Sequence, residues 1–140
     1  MSRSSSFLRA DILPSSPDLA LLLLRVWLGA SLLLLHGQGK IPRLMADEVR
    51  FASVAGLSPT ASLALAIVGE VIAPVLLIIG LGTRWAALLS SATMLGAFVV
   101  GHGMALSGER SGELPFIFLA GFLAIAIAGP GRFSLDGRGR

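Results

Sequence analysis

Cysteine and tyrosine are absent from the 140 residues, and only 14% of the residues are charged. Without cysteine there can be no disulfide, no thiolate nucleophile, no cysteine-ligated iron–sulfur cluster and no cysteine-based haem attachment. A soluble domain spends about a quarter of its residues on Asp, Glu, Lys and Arg, so too few charges remain here to cover a water-facing surface. The sequence pI is about 11.1, yet the formal net charge is only +3. The basic residues are scattered, many of them at the two ends, and form no stripe. Nucleic acid is therefore not expected as a partner. Two tryptophans are too few for an aromatic belt, although Trp85 is suitably placed at an interface.

What the chain has in abundance is apolar sequence, 54% hydrophobic with a mean hydropathy of +0.84. Continuous apolar runs extend from Leu19 to Leu35, Ala61 to Leu81, Trp85 to Leu106 and Leu114 to Gly129. Roughly 17 to 25 helical residues cross a ~30 Å hydrocarbon core. The middle two runs span it comfortably, and the outer two do so once Asp18, His36, Glu113 and Pro130 sit at headgroup level. Lipid forces each backbone amide to be satisfied within its own segment, and the polar–apolar alternation of barrel strands is missing. The expected fold is all-α, a membrane-embedded four-helix bundle with helices at about 18–36, 60–81, 84–106 and 113–129. The first run is read as a helix and not as a signal peptide, because no small-residue cleavage site follows it. The domain then covers 18–136, preceded by a polar, serine- and proline-rich tail over 1–17 and followed by a short tail over 137–140.

The links carry further information. Gly82-Thr83-Arg84 is so tight a turn that helices two and three must be antiparallel neighbours. In the longest link, Gly37 to Thr60, the residues Leu44, Met45, Val49 and Ala52 recur at helical spacing opposite Arg43, Asp47 and Arg50. That pattern predicts a short interfacial helix between helices one and two, with a plain surface loop as the alternative. Four crossings place both termini on one side with Arg3, Arg9, Arg84, Arg132, Arg138 and Arg140, against Lys40, Arg43, Arg50 and Arg110 on the other. The positive-inside rule then favours cytoplasmic termini, in what is expected to be a bacterial cytoplasmic (inner) membrane.

The informative residues are those a membrane should reject. Arg25 in helix one and Glu70 in helix two each cost ~2.5 to 3.5 kcal/mol on insertion scales, and such groups are functional candidates with a partner nearby. Arg25 lies about 15 Å from the far end of its helix and Glu70 about 13 Å from that end of its own, at 1.5 Å per residue. Matched depth predicts an ion pair. The alternative has Arg25 snorkelling to the headgroups and Glu70 protonated. Arg25, Gly29, Leu32 and His36 share one helix face. His36, Lys40, His102 and Glu113 all fall near the non-cytoplasmic surface, above the proposed pair. Taken singly, His36 reads as a helix-end residue and His102 as a packing or kink position; their common level is what joins them into one polar vestibule. Pro74, following Glu70 by four residues, weakens the helix at Glu70 and predicts a kink there. Gly29, Gly69, Gly96 and Gly101 are expected to allow close helix packing.

The order and spacing of these residues resemble the DoxX family. The resemblance is carried by Arg25, His36-Gly37-Gln38-Gly39-Lys40, Gly69-Glu70, Gly80-Leu81-Gly82-Thr83-Arg84, Glu113-Leu114 and Gly129-Pro130-Gly131-Arg132-Phe133-Ser134-Leu135-Asp136, and it covers Leu19 to Asp136. It implies a small four-helix membrane protein related to the quinone-reducing membrane subunit of thiosulfate:quinone oxidoreductase, in which Arg25, His36, Lys40, Glu70 and Glu113 keep the recurrent polar positions. The resulting expectation is a subunit of a quinone-linked oxidoreductase acting with a redox partner protein. Arg25, Glu70, His36 and His102 are its catalytic candidates, and Lys40 and Glu113 its substrate-binding candidates. Quinone is the expected cofactor, its isoprenoid tail lying between helices. Haem or metal held by the two histidines is not expected, since ligand pairs need a second shell that the sequence does not reveal. Two alternatives stand beside this reading. One is a small-solute or proton transporter or channel, which at this length would need a homodimer. The other is a non-catalytic scaffold whose polar cluster fixes helix register.

Overall fold

A computed structural model describes residues 16–138, so most of the expected N-terminal tail, with Arg3 and Arg9, and Arg140 at the other end lie outside the described residues. The described chain is all-helical. Helix α1 spans Pro17–Gly37, α2 Lys40–Leu44, α3 Pro59–Ile79, α4 Thr83–Gly101 and α5 Glu113–Ala128. Helices α1, α3 and α4 are each long and apolar enough to cross a bilayer, and α5 is a shorter apolar helix. The expected third membrane helix, 84–106, ends at Gly101. His102, followed by Gly103 and Met104 at positive φ, turns the chain toward α5.

Local chemistry sets the helix ends. Ser16 and Ser58 are N-caps whose hydroxyls accept from Leu19 N and Ala61 N, each followed by a proline in the first turn, where a missing N–H costs nothing. Helix α3 stops at Gly80, which has φ +73°. Gly80 N donates to Leu77 O and Leu81 N to Leu76 O, a Schellman closure that favours glycine at the left-handed position. The N-terminus of α4 is capped from far along the chain. Asp136 accepts from Gly82 N at 2.9 Å, Thr83 N at 2.8 Å and the Thr83 hydroxyl at 2.9 Å, neutralising the helix's positive end.

The core is narrow: Leu32, Ala73, Leu77, Ala86, Ala87, Met94, Phe118, Phe122 and Ile125 are buried together. The large side chains point outward. Leu35 is 74% exposed, Ile127 79% and Trp85 76%, a surface suited to a lipid bilayer. Close packing occurs at Gly29, Gly37 and Gly69, whereas Gly96 and Gly101 have open space where a Cβ would go. The last two therefore do not serve the helix packing expected of them. At Gly69 an added Cβ would lie 1.8 Å from Thr93 Oγ1, beside the bond from Ser90 Oγ to Gly69 O. Gly69→Ala should therefore force α3 and α4 apart and lower stability by about 1–3 kcal/mol. Thr93→Ala in the same chain should recover only part of the loss, because its own Cβ stays 2.6 Å from the added one, as read by thermal unfolding in detergent.

Three π turns interrupt the membrane helices: Leu33–Gly37 in α1, Val68–Ile72 in α3 and Ala97–Gly101 in α4. Each is closed by a bond five residues back, from Gln38 N to Leu33 O, Ala73 N to Val68 O and His102 N to Ala97 O. The turn in α3 contains Glu70, where Pro74 is expected to weaken the helix. The proline ring crowds the carbonyl of residue 70 and has no N–H to offer it, and the widened turn accommodates both defects.

The link between α1 and α3 differs from expectation. Its helix is α2, Lys40–Leu44, and the stretch through Val49 and Ala52 is not helical. Phe51 and Val54 are half-buried, Val54 N donates to Ser62 Oγ, and Phe51, Ala52 and Val54 cover a cavity in the bundle. Phe51 and Val54 thus find partial burial against the protein.

Candidate functional site

The expected Arg25–Glu70 ion pair does not form. Arg25 is fully buried near the end of the bundle that carries the chain termini. Its Nη1 donates to Leu77 O at 2.9 Å and its Nη2 to Phe133 O at 2.7 Å. Its charge interacts with Asp136, the residue that caps α4. The guanidinium thus clamps α1, the end of α3 and the C-terminal segment together. Two parts of the family-like pattern, around Gly80–Arg84 and Gly129–Asp136, meet at this clamp, which explains their spacing without a catalytic role.

Equal residue counts do not bring Arg25 to Glu70 because the two helices do not start from a common level. Helix α1 ends at Gly37, directly against Glu70, where a Cβ would lie 2.2 Å from Glu70 O. The first half of α3, Pro59–Ile67, therefore rises beyond the end of α1 and packs on α2. Arg25 meets Leu77, about 10 Å further along α3 than Glu70 at 1.5 Å per residue. The shared face of α1 is as expected, with Arg25, Gly29 and Leu32 buried and His36 half-buried.

Glu70 takes its cation from Lys40. Lys40 Nζ lies 2.5 Å from Glu70 Oε2 and also donates to His36 O at 3.1 Å. Both side chains are largely buried, at 16% and 8% exposed, so each charge depends on the other. Lys40 follows His36 by one helical turn, and that i, i+4 spacing was the available signal for its position.

The pair borders a cavity of about 570 Å³ toward the loop end of the bundle, lined by His36, Lys40, Glu70 and His102 among apolar side chains from α1, α3, α4 and α5. The His36 ring stands edge-on to Phe118, with centroids 6.3 Å apart. His102 Nδ1 is 3.1 Å from Arg110 O. A carbonyl can only accept, so this contact places the proton on Nδ1 and leaves Nε2 an acceptor in the neutral ring. Each π turn contributes to this one place: His36 and Glu70 lie within their turns and His102 caps the third. Such turns are rare and concentrate at functional sites. No composition signal announced them beyond Pro74.

Four of the six expected site residues are thus brought together, and two are not. Arg25 belongs to the clamp. Glu113 is exposed in the first turn of α5, outside the cavity, where its carboxylate complements the helix dipole and its backbone N donates to Ser111 Oγ. Ser62, Thr93 and Ser111 line the cavity as well and had not been singled out. Among the described residues no three His, Asp or Glu side chains form a metal-binding group.

The bundle and its cavity define a class: a small helical integral membrane protein whose buried polar residues border an apolar, ligand-sized chamber. A family model described as DoxX matches residues 20–103, more than half of the chain. The protein belongs to the DoxX family. Neither a curated protein nor a solved structure gives a match.

Proposed function

We propose that this DoxX-family protein is the membrane subunit of a quinone-linked oxidoreductase and that the cavity seats a quinone ring. The observation that carries the reading is the convergence of His36, Lys40, Glu70 and His102 on one largely apolar cavity of about 570 Å³, within the roughly 300–1,000 Å³ of small-molecule sites. A bound quinone supplies two-electron chemistry, taking up two electrons and two protons to become the quinol. The electrons come from a redox partner protein.

The residues present suit such a ring. Lys40 Nζ has three N–H groups, of which Glu70 and the His36 carbonyl engage two, leaving one for a ring carbonyl oxygen. The His36 imidazole makes no hydrogen bond among the described residues, so it is available as a second donor. Glu70 holds the ammonium in place and can carry a proton toward the chamber, and His102 near the loop end can replenish it. The same reading sets the protein in a bacterial inner membrane with cytoplasmic termini.

The test is the oxidised-minus-reduced spectrum of the purified full chain and of its lipid extract. A quinone absorption that bleaches with reductant is expected, and Lys40→Met should lower the retained quinone by about tenfold, equivalent to one lost charge-assisted bond. No retained quinone from a quinone-rich membrane overturns the reading. Solute or proton flux in liposomes would then identify a transporter, and its absence a scaffold.

A further inference from the structure

The cavity is not closed toward lipid. The half of α3 beyond its π turn, Pro59–Ile67, leans on α2, whereas α4 packs along α5, so the two helices part above the level of Glu70. Beyond the Gly69–Thr93 contact a slot runs between them whose α4 wall is Gly96, Ala97 and Val100, about 10 Å of helix from Thr93 at 1.5 Å per residue, with Leu89 and Ala92 lining the same cavity along the outer flank of α4. Its edges face the bilayer: Leu65 is 55% exposed, Leu89 44% and Val100 50%. Its floor is made of small residues, and at Gly96 an added Cβ would meet nothing within 4 Å. The polar end of this slot is the Lys40–Glu70 pair.

The geometry points to a lateral portal between α3 and α4 that admits the ligand from the hydrocarbon phase and holds its polyprenyl chain against Ala92 and Gly96, so that the site selects tailed over tail-less molecules. This rests on the quinone reading for the ring, while the slot itself is argued from helix divergence. A chain in the slot replaces lipid against small residues over its whole length, and the van der Waals contact it gains is unavailable to a bare ring. The open space at Gly96 means that a larger side chain there fills the slot without displacing backbone.

The experiment compares binding of two probes to the full chain in lipid nanodiscs: a benzoquinone with an isoprenoid tail and the same ring with short substituents. Gly96→Leu, and separately Ala92→Leu, should weaken the tailed quinone by at least about tenfold and leave the short one within about twofold. Equal losses for both probes, or none for either, overturn the portal. A second arm uses a photoactivatable polyprenyl alcohol, which carries no quinone ring. Its crosslinks should concentrate on Leu65, Leu89 and Val100 over the more exposed Leu23 and Ile127, and Gly96→Leu should abolish that preference. Crosslinks in the slot without quinone binding leave the portal standing and remove the quinone; crosslinks spread evenly over Leu23 and Ile127 overturn the portal whatever the ring does.

Discussion

Replacing Arg25 with alanine should lower the stability of the bundle by about 3–5 kcal/mol, the range for breaking a buried charged network by removing one partner. Thermal unfolding in detergent and the yield of folded protein both report it. The substitution leaves Leu77 O and Phe133 O without their donor, removes the countercharge near Asp136, and opens a void where a fully buried side chain lay. Arg25→Lys should recover only part of the loss. A guanidinium forks to two carbonyls on different segments, and an ammonium on a shorter reach is a point charge that cannot span both. Ligand binding by the surviving folded fraction should change little, because Arg25 lies outside the cavity. A large, selective loss of binding with unchanged stability would show that the clamp has been misread.

The helices were legible because the bilayer imposes a single requirement, apolar length, that hydropathy reads directly; their starts at Ser16-Pro17 and Ser58-Pro59 and the stop at Gly80 follow local rules as well. The polar vestibule was legible in membership more than in wiring. His36, Lys40 and His102 could be assigned a common level from residue counts, and all three line the cavity, as does Glu70, which the same counts set deeper beside Arg25. The partner of Glu70 could not be read so, because ion pairing over a few ångströms depends on how far one helix slides along another. That offset is set by Gly37 meeting the Glu70 backbone and by the outer half of α3 resting on α2. The π turns escape sequence reading for a related reason. They are compromises between packing and backbone bonding, and only the one beside Pro74 leaves a trace in composition.

The Lys40–Glu70 pair yields the second large effect. Lys40→Met and Glu70→Gln should each reduce quinone retention, the first by removing a donor and leaving a carboxylate buried, the second by freeing the ammonium from its anchor. The double substitution should be no worse than the more severe single, giving a coupling of about 1–3 kcal/mol in a double-mutant cycle. Such coupling follows because each charge is nearly withdrawn from solvent and the penalty of each single change is chiefly the stranded partner. The same cycle between Arg25 and Glu70 should be additive within about 0.5 kcal/mol, since the two groups share no partner and sit at different levels of the bundle. The two cycles together separate a polar site built on Lys40 from one built on Arg25. Coupling in the Arg25 cycle and additivity in the Lys40 cycle would return the buried carboxylate to the first helix's arginine and leave the chamber without its ammonium. With Lys40 as the partner, the donor stands on the chamber wall, within reach of a ligand that enters from the membrane.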